Sequence, residues 1–463
     1  MLKYLSAYHA YYRVKNMTRT SEIEENRGNR RITVSLGADV SEGYVLRYEL
    51  HPAEHFTFTA MALGLETPQQ LGERLAAQVI TTLDEKKEKP DRIACDLYPK
   101  FPTTYAAEVL AEHYQVPMLR MQKCHRAILD AMDASVPSEA AGESDASASV
   151  LGICLDDQSY GSDGTLWGGE ILEISGEGFT RLASIHPYQL IGTNMELHSS
   201  TPWQTAVSML YDLARMAHNE DEAIRDFVAK QAASEKVHLL DLCSLNDARA
   251  QYIAQDRNKN TTRSTAASGL FDAAAAILGF QRISTPTGRT AMEALTVAAE
   301  AFEQQADSVR NRAQIDALYA KLEKLIATAE EMDDPTLEPG DLWEDTDDGA
   351  FSETSDDDHP DILHTEQLIR LLADERIRYL TSLVKRNYDH PLNRKHPDAG
   401  SADDNSLLLA WFLLDALATI CVQYCRSREG SNIVLAGDYL KTGILMNRFE
   451  EKEHICKAVF KIL

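Results

Sequence analysis

From residue 32 onward, apolar positions recur first with the period of a strand and then with the period of a helix. "RITVSLG" (31–37) and "YVLRYEL" (44–50) both alternate and predict an antiparallel hairpin. In "TPQQLGERLAAQVITTLDEKKEKP" (67–90), Leu71, Leu75, Val79 and Leu83 fall on one helical face. Thr67 fits an N-cap with Pro68 at N1 and Gln70 at N3, a capping-box pattern, and Pro90 marks the stop. "DRIACDL" (91–97) predicts a strand, 102–114 a helix, "VPMLRM" (116–121) a strand and 125–134 a helix. Strand–strand–helix–strand–helix–strand is the order of an α/β sheet covered by helices.

The pattern breaks at "SVPSEAAGESDASAS" (135–149), which has no aromatics and reads as a linker. A second α/β unit opens with "VLGICLD" (150–156), followed by a tight polar loop over 156–169 and a further strand. Most of 202–330 has helical periodicity. A late strand, "NIVLAGD" (432–438), precedes two closing helices. The expected division is an arm (1–31), a first lobe (32–149), a second lobe opening with a helical insertion (150–330), an acidic loop without a fold of its own (331–362), and a helical segment completing the second lobe (363–463).

Charge sharpens this picture. The formal net charge of the 463 residues is −26, which disfavours nucleic-acid binding through a basic face and docking on anionic membranes. Residues 330–358 carry fourteen Asp and Glu, and no Lys or Arg occurs between Lys324 and Arg370. Such composition favours a solvated segment. Its "DTDDG" does not complete a calcium-binding loop. The seven cysteines are scattered, several inside apolar runs, and no C-x-x-C occurs. With no leader evident, the expectation is a cytoplasmic protein with reduced thiols. "SLLLAWFLLDALATICVQYC" (406–425) contains Asp415 and Gln423 and reads as a buried helix rather than a membrane span.

Glycines at strand ends are where chemistry is to be sought, because they let backbone N–H groups approach an anion. Three such places occur: Gly37, the 156–169 loop and Gly437. In the middle one, "LDDQSYGSDGTLWGGEIL" (155–172), the candidates for a phosphate or nucleotide are Asp156, Tyr160, Gly161, Asp163, Gly164, Thr165, Gly168 and Gly169. Asp163-Gly164 is also ordinary turn chemistry, and Trp167 reads as a packing plug. Lys123, Arg126 and Arg289 are cations available to a phosphate, and His125 and Asp272 complete the cleft candidates. His125 reads primarily as a core or helix-start histidine. No Walker A, G-x-S-x-G or H-E-x-x-H motif is present, and no catalytic residue is assigned.

The stretch 155–172 resembles "DGTGYGTDGTIWGGE", a signature of the nickel–iron hydrogenase maturation carbamoyltransferases, in the domain related to the universal tRNA threonylcarbamoyl-transferases. "RIACDLYPKFPTTYAAEVL" is similar to "IACDLHPDYLSTRYAEEL", "STAASGLFDAAAAILGF" to "TSSAGRLFDAVAALLG", and "TPTGRTAMEAL" to "TYEGQAAMELE". "NIVLAGDYLKTGILMNRF" stands where the family has "VALSGGVFQNRLLLEL". The resemblance spans roughly 32–300 and 405–450. It implies two actin/hexokinase/Hsp70-like (RNase H-like) α/β lobes around a cleft for ATP or another adenine nucleotide, with a large helical insertion. The implied activity is transfer of an adenylate-activated carbamoyl group to a partner protein. The family's adenylate-forming and other upstream domains have no counterpart in these residues.

Departures from the family pattern converge on one place. The H-x-x-x-H of "QHHHAH", which the resemblance assigns to a metal, is replaced by Lys123 and Ala127. A lysine is protonated and an alanine has no donor, so this metal site is expected to be lost. "GGELKN" becomes Gly37-Ala38-Asp39-Val40-Ser41-Glu42, and "GGVFQN" becomes Gly437-Asp438-Tyr439-Leu440-Lys441-Thr442. The "SSAGR" arginine is Gly269, and Pro286-Thr287-Gly288 stands in place of "YEG". The expectation is a chemically degenerate partner or scaffold in carbamoyl transfer or metallocofactor maturation. It would act with a maturation factor or carbamoyl acceptor protein, and self-association into a homodimer is a further expectation. The alternative is an active nucleotide-dependent carbamoyl transferase with a rebuilt site.

Overall fold

The computed structural model describes residues 32–37, 43–48, 51–58, 67–134, 150–175, 178–191, 201–216, 262–280, 290–305, 308–332, 360–389, 403–428, 432–441 and 443–456. The arm 1–31, the linker 135–149, Arg289 and most of the acidic loop lie outside them.

The first sheet is built from β1 (Ile32–Leu36), β2 (Tyr44–Tyr48), β3 (His51–Phe56), β4 (Arg92–Asp96) and β5 (Met118–Met121), in the order β3-β2-β1-β4-β5. β1 pairs antiparallel with β2 and parallel with β4. Ile32, Val34, Leu36, Leu46 and Ile93 face helices α1 (Pro68–Lys86) and α2 (Pro102–Tyr114), meeting Leu75, Val79, Leu83 and Leu110. The capping box at Thr67 forms as its sequence predicts. The helix ends at Lys86, before Pro90, because Lys87 turns left-handed at φ 55° and its N–H reaches back to Leu83 and Asp84 carbonyls. Helix α3 (Lys123–Ala134) begins two residues before the predicted 125–134, and β3 was not predicted.

The second sheet repeats the plan. β6 (Val150–Tyr160), β7 (Leu166–Ser175) and β8 (Gly178–Ile185) form an antiparallel meander. β6 then takes the late strand Asn432–Ala436 as its parallel partner, as β1 takes β4. The remaining strands are β9 (Tyr188–Gln189), β10 (Arg263–Ser264) and β11 (Asp361–Leu363), with β12 the Asn432–Ala436 strand. A meander whose first strand gains a parallel neighbour, occurring twice, is the two-lobed actin/hexokinase/Hsp70-like architecture. The expected polar loop over 156–169 is corrected: strands continue to Tyr160 and resume at Leu166.

Between β8 and β12 the chain is largely helical: α4 (Pro202–Met216), α5 (Ala267–Leu278), α6 (Ala291–Gln304), α7 (Ser308–Met332), α8 (Glu366–Asp389) and α9 (Asp404–Arg426). α9 is long and apolar enough to cross a membrane by composition, yet 78% of its most apolar window is buried inside the protein. It is the central core helix of this lobe, packed with α5 and α6. In place of the two closing helices expected after β12 come a short 3-10 turn (Asp438–Lys441) and α10 (Gly443–Cys456). Helix α3 joins the lobes: Cys124, Ile128 and Leu129 pack with Ala94 and Met121 of the first sheet and with Cys154, Leu172 and Val434 of the second.

Candidate functional site

The ends of β6 and β12 and the start of α3 meet at one point. The pairing of β6 with β7 shifts register between Leu155 and Ser159, which places Asp156 and Asp157 on a bulge. Gly168 passes this bulge so closely that a Cβ there would sit 2.7 Å from the carbonyl oxygens of both aspartates. Gly437, at φ +98°, makes the same close approach to the Leu155 backbone. The α3 N-terminus is fixed by Gln122, whose side chain accepts from His125 N–H at 3.0 Å and donates to Ser159 Oγ at 3.1 Å.

Lys123, the first residue of α3, donates from Nζ to Asp156 Oδ1 at 2.9 Å. The Asp156 side chain is buried, at 3% exposure, and Lys123 is mostly covered, at 12%. The same carboxylate oxygen accepts from Asp157 N–H at 2.7 Å. Burial pushes the Asp156 carboxyl upward, Lys123 opposes this, and Asp438 adds to it. The candidates Asp156, Lys123, Gly168 and Gly437 are therefore brought together.

A tyrosine and carboxylate wall adjoins them. A Cβ on Gly269 would collide with the Tyr188 hydroxyl and ring, so the place where the resembling family carries an arginine side chain is filled by a phenol. Tyr188 O–H donates to the Ala266 carbonyl at 3.4 Å. Burial pushes the Asp272 carboxyl up to about 7, and the negative charge of Asp157 adds to this. Burial, with Asp157, Asp272 and Asp156, also drives the Tyr439 phenol far upward. Tyr439 packs edge-on against Phe271, with ring centroids 5.0 Å apart. Neither tyrosine was singled out from sequence; Tyr439 sits in a quoted motif, but a phenol in an apolar setting gives no sign of what it faces.

The signature turn uses its polar groups internally. Asp163 Oδ1 accepts from Thr165 N–H at 3.0 Å, Thr165 Oγ1 at 2.7 Å and Trp167 Nε1 at 2.9 Å. Its Oδ2 receives Arg181 Nη1 at 2.7 Å. Arg181 Nε donates to the fully buried Glu170 at 2.8 Å, and the guanidinium lies 4.1 Å above the Trp167 ring centroid. Glu170 also accepts from Gly168 N–H at 3.2 Å, Gly169 N–H at 3.4 Å and the Thr265 hydroxyl. Gly161 N–H closes the turn on Thr165 O at 2.9 Å, and Gly164 takes φ +79°. Asp163, Thr165 and Gly161 thus hold a β-turn rather than face a ligand, while Trp167 is the expected plug, 2% exposed. Arg181 was missed; its signal is a lone cation within the strand "GFTRLASI" opposite an acidic strand.

The remaining candidates lie apart. Tyr160 stacks on Tyr98 of the first lobe at 4.6 Å. His125 is buried against Phe179 at 4.7 Å, and burial lowers its imidazole to about 4, the core reading. Arg126 donates to the Leu36 carbonyl at 2.6 Å, beside Gly37, and lies on the inner face of the first sheet. The residues at the two histidine positions of the resembling family do not fit a metal: Lys123 is engaged as a cation by Asp156, and Ala127 offers no donor. Among the described residues no three His, Cys, Asp or Glu side chains are placed to hold one.

Residues 152–338 match the family model "Carbamoyltransferase, Kae1-like Domain, second subdomain". The chain is 30% identical over 210 residues to the "Carbamoyltransferase HypF homolog" of Cupriavidus necator, covering 45% of this chain and 46% of that protein. It is 31% identical over 206 residues to Carbamoyltransferase HypF of Rhizobium leguminosarum bv. viciae, covering 44% of this chain and 22% of that one. The chain therefore spans less than half the length of these curated relatives. Among solved structures it is similar to full-length HypF in a phosphate- and nucleotide-bound form (TM-score 0.54, 17% identity, 93% of this chain, 52% of the other). It is also similar to T. kodakarensis HypF (TM-score 0.56, 17% identity, 92% and 44%). At that identity the two structures speak for the fold, while residues 152–338 match the second subdomain of a Kae1-like carbamoyltransferase domain and the chain is similar to HypF proteins over less than half its length.

Proposed function

We propose that this domain has exchanged the family's metal-assisted chemistry for a structural role, serving as a partner or scaffold in carbamoyl transfer or in hydrogenase-type metallocofactor maturation. The observation that carries the reading is the Lys123–Asp156 ion pair, a protonated amine held at the first of the two positions where the resembling family has histidine. Tyr188, filling the space over Gly269, supports it independently. The alternative of a rebuilt nucleotide site needs cations facing a phosphate. Lys123 is committed to Asp156 and Arg126 to the Leu36 carbonyl, while Asp157 and Asp438 bring further negative charge beside Asp272 and Asp156.

The phosphate and nucleotide in the similar HypF structure belong to that protein. For this chain the test is calorimetry with ATP, ADP and carbamoyl phosphate, alongside metal analysis and a carbamoyl-adenylate transfer assay. No binding heat, substoichiometric iron and zinc, and no transfer are expected. Stoichiometric metal together with adenylate-dependent transfer overturns the proposal. Binding heat with transfer but without metal favours the rebuilt site.

A further inference from the structure

β11 is a three-residue strand at the edge of the second sheet, paired with β8 through Asp361–Ala183, Ile362–Ser184 and Leu363–Ile185. A strand this short needs a further tie to stay in place. One is found where β8 and β11 end side by side and α8 begins. His186 follows β8, His364 follows β11, and Glu366 opens α8. His186 N–H donates to Thr365 Oγ1 at 2.9 Å. His364 Nδ1 lies 3.3 Å from Glu366 Oε1, which also accepts from Gln367 Nε2 at 3.0 Å. The other carboxylate oxygen, Oε2, is buried without a hydrogen bond among the described residues, and His186 Nδ1 stands 3.4 Å from it.

Glu366 is 2% exposed and His186 7%. A carboxylate at that depth is costly unless a cation pairs with it. Among the described residues no lysine or arginine pairs with Glu366, and its charged neighbours are the two imidazoles. The other acid of this region, Asp361 of β11, is engaged by the Tyr424 hydroxyl of α9 at 2.6 Å and by Arg428 at 3.3 Å. An imidazole ordinarily changes charge between about pH 5 and about pH 8. Protonated, it gives the carboxylate a charge-assisted partner; neutral, it leaves a buried negative charge with hydrogen bonds alone. We propose that Glu366, His186 and His364 form a pH-sensitive latch, which fastens β11 and the first turn of α8 to β8 in mildly acidic solution and loosens them as the imidazoles lose their protons. Burial pushes the Glu366 carboxyl up, but the two histidines more than offset this and hold it below its ordinary value. At the acid end the latch therefore fails only once Glu366 itself is protonated. α8 packs on α5, the helix that carries Gly269 and Asp272, so the latch bears on one wall of the candidate site. It does not depend on the functional reading above.

The test is hydrogen exchange of the full chain, read by mass spectrometry at about pH 5.5 and about pH 8 and corrected for the intrinsic exchange rate. Relative to β6 and β12 of the same sheet, peptides covering 361–370 are expected to be about tenfold better protected at the lower pH. Glu366→Gln keeps the shape and removes the charge, and is expected to abolish that difference. His364 is partly exposed, so His364→Gln, expected to reduce the difference, carries the test where Glu366→Gln fails to fold. Equal protection at the two pH values, better protection at the higher one, or an undiminished difference in either variant overturns the proposal.

Discussion

Lys123 Nζ lies 2.9 Å from Asp156 Oδ1, linking the first residue of a helix that belongs with one sheet to the central strand of the other. Removing one member of a buried pair strands the remaining charge. Lys123→Met is expected to cost about 3 kcal/mol in urea unfolding, with much of that recovered in Lys123→Met/Asp156→Asn. An additive double mutant would show that the two do not depend on each other.

Gly269 and Tyr188 compete for one volume. Gly269→Ala is expected to destabilise by about 1–3 kcal/mol through overpacking. Tyr188→Leu, which withdraws the phenol, is expected to relieve it in a double-mutant cycle. A cycle with no coupling energy would contradict the arrangement.

Arg181 serves Asp163, Glu170 and Trp167 at once. Arg181→Met leaves Glu170 buried beside hydroxyl and amide donors but without its cation, at an expected cost of about 3–5 kcal/mol. Arg181→Met/Glu170→Gln is expected to be the more stable of the two, as read from chemical denaturation.

His125 titrates at about 4 in the folded chain against an ordinary 6.5. Between those values the unfolded chain binds the extra proton, so stability falls as pH drops from about 6.5 to about 4, by about 3 kcal/mol. His125→Leu is expected to flatten that part of a stability–pH profile; an unchanged slope would mean that the ring is protonated in place.

Asp272 shows the opposite sign. Its folded value, about 7, lies above the ordinary 3.8, so stability is lost as pH rises from about 4 to about 7 and is level above that. Asp272→Asn is expected to raise the melting temperature at pH 8 and to make little difference at pH 4. A gain that does not vary with pH would point to packing rather than ionisation.

The two lobes were legible because local signals agree with global ones. Thr67, Pro68 and Gln70 cap their helix from within three residues, and the alternation of β1 and β2 directs Val34 and Leu46 into one core. Third strands and short 3-10 turns carry weaker patterns, so β3 and the turn after β12 were not legible.

The signature stretch 155–172 was legible as a family mark, but not as a set of roles. Asp163 looks like a ligand-facing acid until Arg181, more than ten residues away in sequence, is brought onto it and onto Glu170. Sequence alone determined the fold, the placing of a lysine at 123 and an alanine at 127, and the concentration of acidic charge. Tertiary structure decided which charges meet: Lys123 with Asp156, Arg181 with Asp163 and Glu170, and Arg47 beneath α3 on a strand face that alternation marks as polar. The reason is physical. Periodicity reports which side of an element is apolar, whereas the partner of a buried charge is set by long-range packing, where desolvation makes each uncompensated group costly.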